Sequence, residues 1–193
     1  PFEVKLIELE PQDTIDISVF HINCLKVNHK ITCYAYNVQV KRVGRFDVQK
    51  ANALNIPKKL WSILQKQQSV EFEGKTYTSD MVLGSPRKGI KVSYCTDTRP
   101  TKELPAFVEN SDLFICEGMY GEKDKIQKAK EYKHMMFTEA AEIAKKANVN
   151  EMWLTHFSPA MPFPEEFLPS AKEIFENTHI GKDRKNVTLL FEE

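Results

Sequence analysis

Three stretches of this chain end a β-prone apolar run on a side chain that binds metals: Val27-Asn28-His29, Tyr94-Cys95-Thr96-Asp97-Thr98 and Trp153-Leu154-Thr155-His156-Phe157-Ser158. Imidazole nitrogens and carboxylate oxygens are ligands for divalent cations, and a carboxylate can bridge two of them. His29, Asp97 and His156 would supply three ligands from separate strands. Three are too few to fill the shells of a catalytic metal pair. The pattern therefore reads as part of a metal site whose other ligands lie upstream of Pro1. On the residues alone each position keeps a second reading: an Asx turn or helix cap for Asp97, a buried structural histidine for His156, a turn residue for His29. His21, beside Phe20, reads as an ordinary strand residue.

His134 is a fourth candidate. It lies where a lysine-rich helix around Lys125 to Lys133 passes into Met135-Met136-Phe137. A histidine there can meet a phosphate or protonate a leaving oxygen, because its pKa lies near neutrality; a capping or surface role is the alternative. Met135, Met136 and Phe137 read as core rather than as a platform for stacking bases.

Composition sets the class. With 193 residues, 41% hydrophobic and 28% charged, the chain is long enough to bury a core. No apolar run nears the roughly 18 residues that span a bilayer. No leader is visible, and the strand-like alternation of PFEVKLIELE leads to the expectation that the chain starts inside a fold or after processing. Cys24, Cys33, Cys95 and Cys116 form no CxxC pair; they read as buried thiols in a reducing cytosol. The net charge of zero hides an asymmetry, since residues 41 to 91 hold 11 Lys plus Arg against 4 Asp plus Glu. That basic island, with Trp61 interleaved, suits a surface that follows phosphates, or else a solvated lysine-rich loop.

The secondary structure around these residues follows from periodicity. VKLIELE, ISVFHINCLKVNH and ITCYAYNVQV read as neighbouring antiparallel strands with His29 at a turn. Within the basic island, DVQKANALNI and KLWSILQKQ have helical spacing, and EFEGKTYT is a hairpin about Gly74. Beyond Pro86-Arg87-Lys88-Gly89 the pattern alternates: IKVSYCTD, a short helix near Lys102 to Glu109, DLFICEG, a helix over 138–147, EMWLTHFS, a helix near Glu165 to Phe175, and VTLLF. This is α/β layering, which gathers the strands' carboxyl ends at one rim; Asp97 and His156 fall there.

The order of His29, CTDT around Asp97, ICEGMYG around Glu117, KHMMFTEAA around His134 and LTHFS around His156 resembles the C-terminal half of the ribonuclease Z family. That family is the transfer-RNA 3′-processing branch of the metallo-β-lactamase superfamily. The resemblance covers nearly the whole chain and implies an α/β fold, the C-terminal half of an αββα sandwich, with residues 44–89 inserted as a basic arm that grips transfer RNA. It implies two zinc ions, with His29 serving one, His156 the other and Asp97 bridging them. His134 falls on the catalytic histidine, and Glu117 on an acidic position that supports the site. It further implies a missing N-terminal half carrying His-x-His-x-Asp-His, precursor tRNA as partner, a cytoplasmic homodimer, and no activity for the 193 residues alone. The sequence departs from the family pattern at Thr96 in place of glycine, at Met135 and Met136 in place of Ser and Thr, at Ala160 in place of arginine, and in lacking a Gly-Pro element near Ile56 to Trp61. A related hydrolase acting on another phosphodiester or ester, and a non-catalytic RNA-binding module, are the alternatives.

Overall fold

The computed structural model describes residues 4, 6–11 and 13–192. They fall into two compact units, Lys41–Gly89 with Glu192 and the remainder of the chain. The larger unit begins with β1 (Thr14–Ile17) and β2 (Phe20–Lys26), an antiparallel pair closed by Ser18 and Val19, with Ser18 at a φ of 56°. β3 (Tyr34–Arg42) runs back along β2, and His29 lies in the connection between them. Among the described residues the strand expected at VKLIELE does not form. Residues 6–10 have no regular structure, and Leu6 and Ile7 are exposed, while residues 1–3 and 5 lie outside the described residues. Apolar alternation alone does not make a strand where no ladder partner is described.

The unit from Lys41 to Gly89 has its own interior. Asp47 caps α1 (Val48–Ala53) by accepting from the Lys50 N–H at 2.9 Å, and α2 (Lys58–Leu64) follows Pro57. β4 (Ser69–Phe72) and β5 (Lys75–Thr78) form the expected hairpin. Its two turn residues, Glu73 and Gly74, both take positive φ, which matches the right-handed twist of the flanking strands. Ala51, Ile56, Leu60, Leu64, Val82 and Leu83 pack together as the core. Trp61, expected on the surface beside lysines, is packed instead: its ring lies 5.0 Å from that of Phe46 and its indole N–H donates to the Ile56 carbonyl. An indole three positions before Leu64 on a helix gains more from burial than from solvent.

The chain re-enters the larger unit through β6 (Arg87–Cys95), which lies beside β3. A single helical turn, α3 (Leu104–Phe107), leads to β7 (Leu113–Glu117), then α4 (Ile126–Tyr132), α5 (Phe137–Lys146), β8 (Met152–Thr155), α6 (Leu168–Lys172) and β9 (Thr178–Ile180). The seven strands lie in the order β1-β2-β3-β6-β7-β8-β9, and the last four are parallel. α5 buries Phe137, Ala140, Ala141 and Ala144, one face at i, i+3, i+4 and i+7. They join Phe114, Cys116, Met152 and Leu154 in the main core. Cys24, Cys95 and Cys116 are buried, Cys33 is half-buried, and all four are free thiols, as their spacing implied.

The terminal strand expected at VTLLF does not form. Residues 185–192 have no regular structure, and the edge beside β8 is taken by Thr178–Ile180. Backbone pairing there is completed by the Gly181 N–H donating to Leu154, so the later apolar run meets no open ladder on that side of β8. Among the described residues no helix is long and apolar enough to cross a membrane.

Gly118 follows β7 and lies against Phe137, the first residue of α5. A Cβ there would meet two ring carbons of Phe137 at 2.8 and 2.9 Å, and Phe137 is fully buried. In the complete protein Gly118→Ala is expected to cost about 1–3 kcal/mol, read as a lower denaturant midpoint at unchanged m value.

Candidate functional site

Parallel strands place their carboxyl ends together, and three candidate side chains leave the sheet at that rim. β6 ends at Cys95, two residues before Asp97; Glu117 closes β7; β8 ends at Thr155, one residue before His156. Asp97 and His156 take left-handed backbone, with φ of 52° and 56°. A left-handed residue breaks a strand abruptly, and residues so held concentrate at functional sites. His29 arrives from the β2–β3 connection. His134 arrives from the corner between α4 and α5.

All four groups converge. Asp97 Oδ1 is 3.9 Å from His29 Nε2 and 3.7 Å from His156 Nε2. The His134 ring lies 5.0 Å from that of His29 and 5.3 Å from that of His156, centre to centre. These separations exceed hydrogen-bond range. They suit ligand atoms that would each reach one cation at about 2.1 Å and so lie no more than roughly twice that apart. Two sets, His29 with Asp97 and His134, and Glu117 with His134 and His156, each keep their ligand atoms within 4.8 Å of one another. The donor types and the convergence fit a divalent metal. At 35% and 36% side-chain exposure, Asp97 and His156 are the open side of the cluster, whereas His29 and His134 are at 13% and 12%.

The buried carboxylate of Glu117 ties the loops together. Its Oε1 accepts from the Thr98 N–H, next to Asp97, and its Oε2 accepts from the Met135 N–H at 3.1 Å. His134 Nδ1 lies 3.1 Å from the same Oε2. This leaves His134 Nε2 free, and His29 is held alike: its Nδ1 is 3.0 Å from the Lys133 carbonyl, so Nε2 faces Asp97. Burial pushes the Glu117 carboxyl up to about 8, against the pull of the Thr98 and Met135 N–H groups. Burial, then the neighbouring His156 and His29, pushes His134 below the usual histidine range.

No family model matches the chain. Over its full length it is 55% identical to the ribonuclease Z of Agathobacter rectalis, 52% to that of Lachnoclostridium phytofermentans and 53% to that of Clostridium acetobutylicum, and in each case it covers 64% of the relative. The chain is homologous to a stretch of ribonuclease Z. It thus spans just under two thirds of the length of the ribonuclease Z relatives. In structure it is similar to the metallo-β-lactamase fold protein YhfI of Bacillus subtilis, with a TM-score of 0.60 at 23% identity over 92% of this chain and 53% of that one. It is also similar to the short form of human tRNase Z, with a TM-score of 0.55 at 16% identity over 93% and 48%. The fold is that of the metallo-β-lactamase proteins.

Two residues not singled out in the sequence analysis, Arg99 and Glu139, hold the site in shape. Arg99 donates through Nη1 to the His134 carbonyl at 2.6 Å and pairs with both carboxylate oxygens of Glu139. Its backbone N–H donates to Asn28 at 3.0 Å, and the Asn28 N–H donates to Thr98 Oγ1, also at 3.0 Å. Arg99 thereby joins the segments of His29, Asp97 and His134. Glu139 also accepts from the Met136 N–H at the start of α5. A glutamate in the first turn of a helix is a visible capping signal, and an arginine two residues after a candidate ligand is a partner for it. Met135, Met136 and Phe137 are buried, in keeping with their reading as core.

The Arg99–Glu139 pair is mostly shielded from solvent, at 15% and 20% side-chain exposure. Removing one partner strands the other charge. Arg99→Met is expected to destabilise the complete protein by about 3 kcal/mol, and Arg99→Met with Glu139→Leu by clearly less, in a double-mutant cycle of chemical unfolding.

Proposed function

We propose that the complete protein is a two-zinc endoribonuclease that cuts precursor tRNA at its 3′ side, with His29, Asp97 and His156 as metal ligands and His134 as the catalytic histidine. The observation that carries this reading is the meeting of two imidazole Nε2 atoms at one oxygen of Asp97, in a chain 55% identical to a ribonuclease Z. Three ligands do not complete two metal shells. The rest of the site belongs to an N-terminal portion carrying His-x-His-x-Asp-His, without which these 193 residues are inactive.

When bound, the metals would supply charge stabilisation at the phosphoryl oxygens and a nucleophile at neutral pH. The protein's own residues manage the proton. With the shared proton on Glu117, His134 accepts a hydrogen bond at Nδ1 and carries its own proton on Nε2. Giving that proton to the departing 3′ oxygen, His134 draws the Glu117 proton to Nδ1, and the carboxylate left behind is stabilised by the Thr98 and Met135 N–H groups.

The arm, residues 44–89, holds RNA by its phosphates, giving register rather than base reading. Its exposed Lys58, Lys66 and Lys75 support this. The cytoplasm and a homodimer complete the proposal.

In the full-length protein, Asp97→Ala is expected to lose bound zinc together with nearly all cleavage, whereas His134→Ala keeps its zinc and loses turnover. Metal analysis beside single-turnover cleavage checks both, and equal zinc in wild type and Asp97→Ala would refute the ligand assignment. Filter binding of precursor tRNA should weaken steeply with salt, and the triple change of Lys58, Lys66 and Lys75 to alanine should flatten the log–log slope by about one for each phosphate no longer neutralised. A slope already flat in wild type would count against RNA as the ligand.

A further inference from the structure

Helix α4 ends on a residue that is neither glycine nor asparagine. Lys133 stands at its C-cap in left-handed conformation, with φ 60° and ψ 52°, which a residue with a Cβ adopts reluctantly. The His134 N–H donates back to Ala129 at 2.9 Å and fixes the corner from the helix side. So turned, the Lys133 carbonyl faces His29, whose Nδ1 lies 3.0 Å away, and the Lys133 ammonium reaches in the opposite sense to the His29 carbonyl at 3.2 Å. A third contact joins the neighbouring residues: Lys30 Nζ sits 4.5 Å from the centre of the Tyr132 ring. Residues 29–30 and 132–133 are thus fastened pairwise, although a hundred positions separate them.

The nitrogen of a histidine that does not meet the metal decides the tautomer and aim of the one that does. We propose that Lys133 is the positioning residue for His29: its left-handed corner presents the carbonyl that fixes the imidazole with Nε2 toward Asp97. Because His134 is the next residue, the same corner sets the ligand and the catalytic histidine together. This rests on the reading of His29 as a metal ligand.

The test compares full-length proteins in which residue 133 tolerates or resists the left-handed region. Lys133→Gly and Lys133→Asn tolerate it; Lys133→Val resists it. Zinc affinity measured by chelator competition should stay near wild type in the first two and fall about 10- to 100-fold in the third. In the metal-free proteins, nitrogen NMR of the His29 ring should show the Nδ1–H tautomer in wild type and in the glycine and asparagine variants, and a mixture in the valine variant. Wild-type zinc affinity in Lys133→Val, or an equal loss in Lys133→Gly, overturns the proposal. If the valine variant does not fold, Lys133→Ala takes its place with the same expectation. Zinc affinity that follows residue 133 in a protein that cuts no precursor tRNA supports the positioning role and removes the proposed substrate. Cleavage with zinc affinity indifferent to residue 133 removes the positioning role alone.

Discussion

The geometry of this rim depends on one buried carboxylate. Glu117 lies at the end of a central parallel strand with no exposed surface, and its two oxygens are occupied by N–H groups from segments distant in sequence, Thr98 and Met135. A buried acidic group is costly unless satisfied, so the loops that satisfy it are held where they are. Those loops carry Asp97 and His134. The remaining polar contact of Glu117 is His134 itself. One desolvated group therefore fixes a metal-type ligand and an imidazole, and its burial raises the Glu117 carboxyl against the pull of the N–H groups that hold it.

Most of the fold could be read from patterns with a period. The buried face of α5 and the hairpin about Gly74 follow from spacing and turn chemistry, and the parallel half of the sheet from strands alternating with helices. The two expected strands that do not form lie near the ends of the described residues. There, Leu6, Ile7, Val187 and Leu190 have strand-like composition yet are exposed, because pairing depends on which ladder is open and composition carries no information about that. β9 was overlooked for the converse reason. Three residues, Thr178 to Ile180, are too short for a pattern, and tertiary pairing with β8 makes them a strand.

The site was legible where a side chain's chemistry is specific. His29, Asp97, His134 and His156 stood out as residue types at strand or helix ends, and the structure brings them together. Arg99 and Lys133 do not stand out, since Arg99 acts on a carbonyl and a carboxylate from distant segments and Lys133 acts through its own backbone carbonyl. Lysine and arginine are common enough on surfaces that only coordinates separate a strut from a solvated charge. Trp61 shows the opposite error, a residue type suggestive of stacking that the local core absorbs.

The 41–89 unit encloses its own apolar centre, from Ala51 through Leu83, and caps its own first helix. Such a segment can drift under selection as a module. Exchanges among its surface lysines, Lys58, Lys66 and Lys75 among them, change its charge without disturbing the packing of that centre. The surface of the unit can then change faster than its interior.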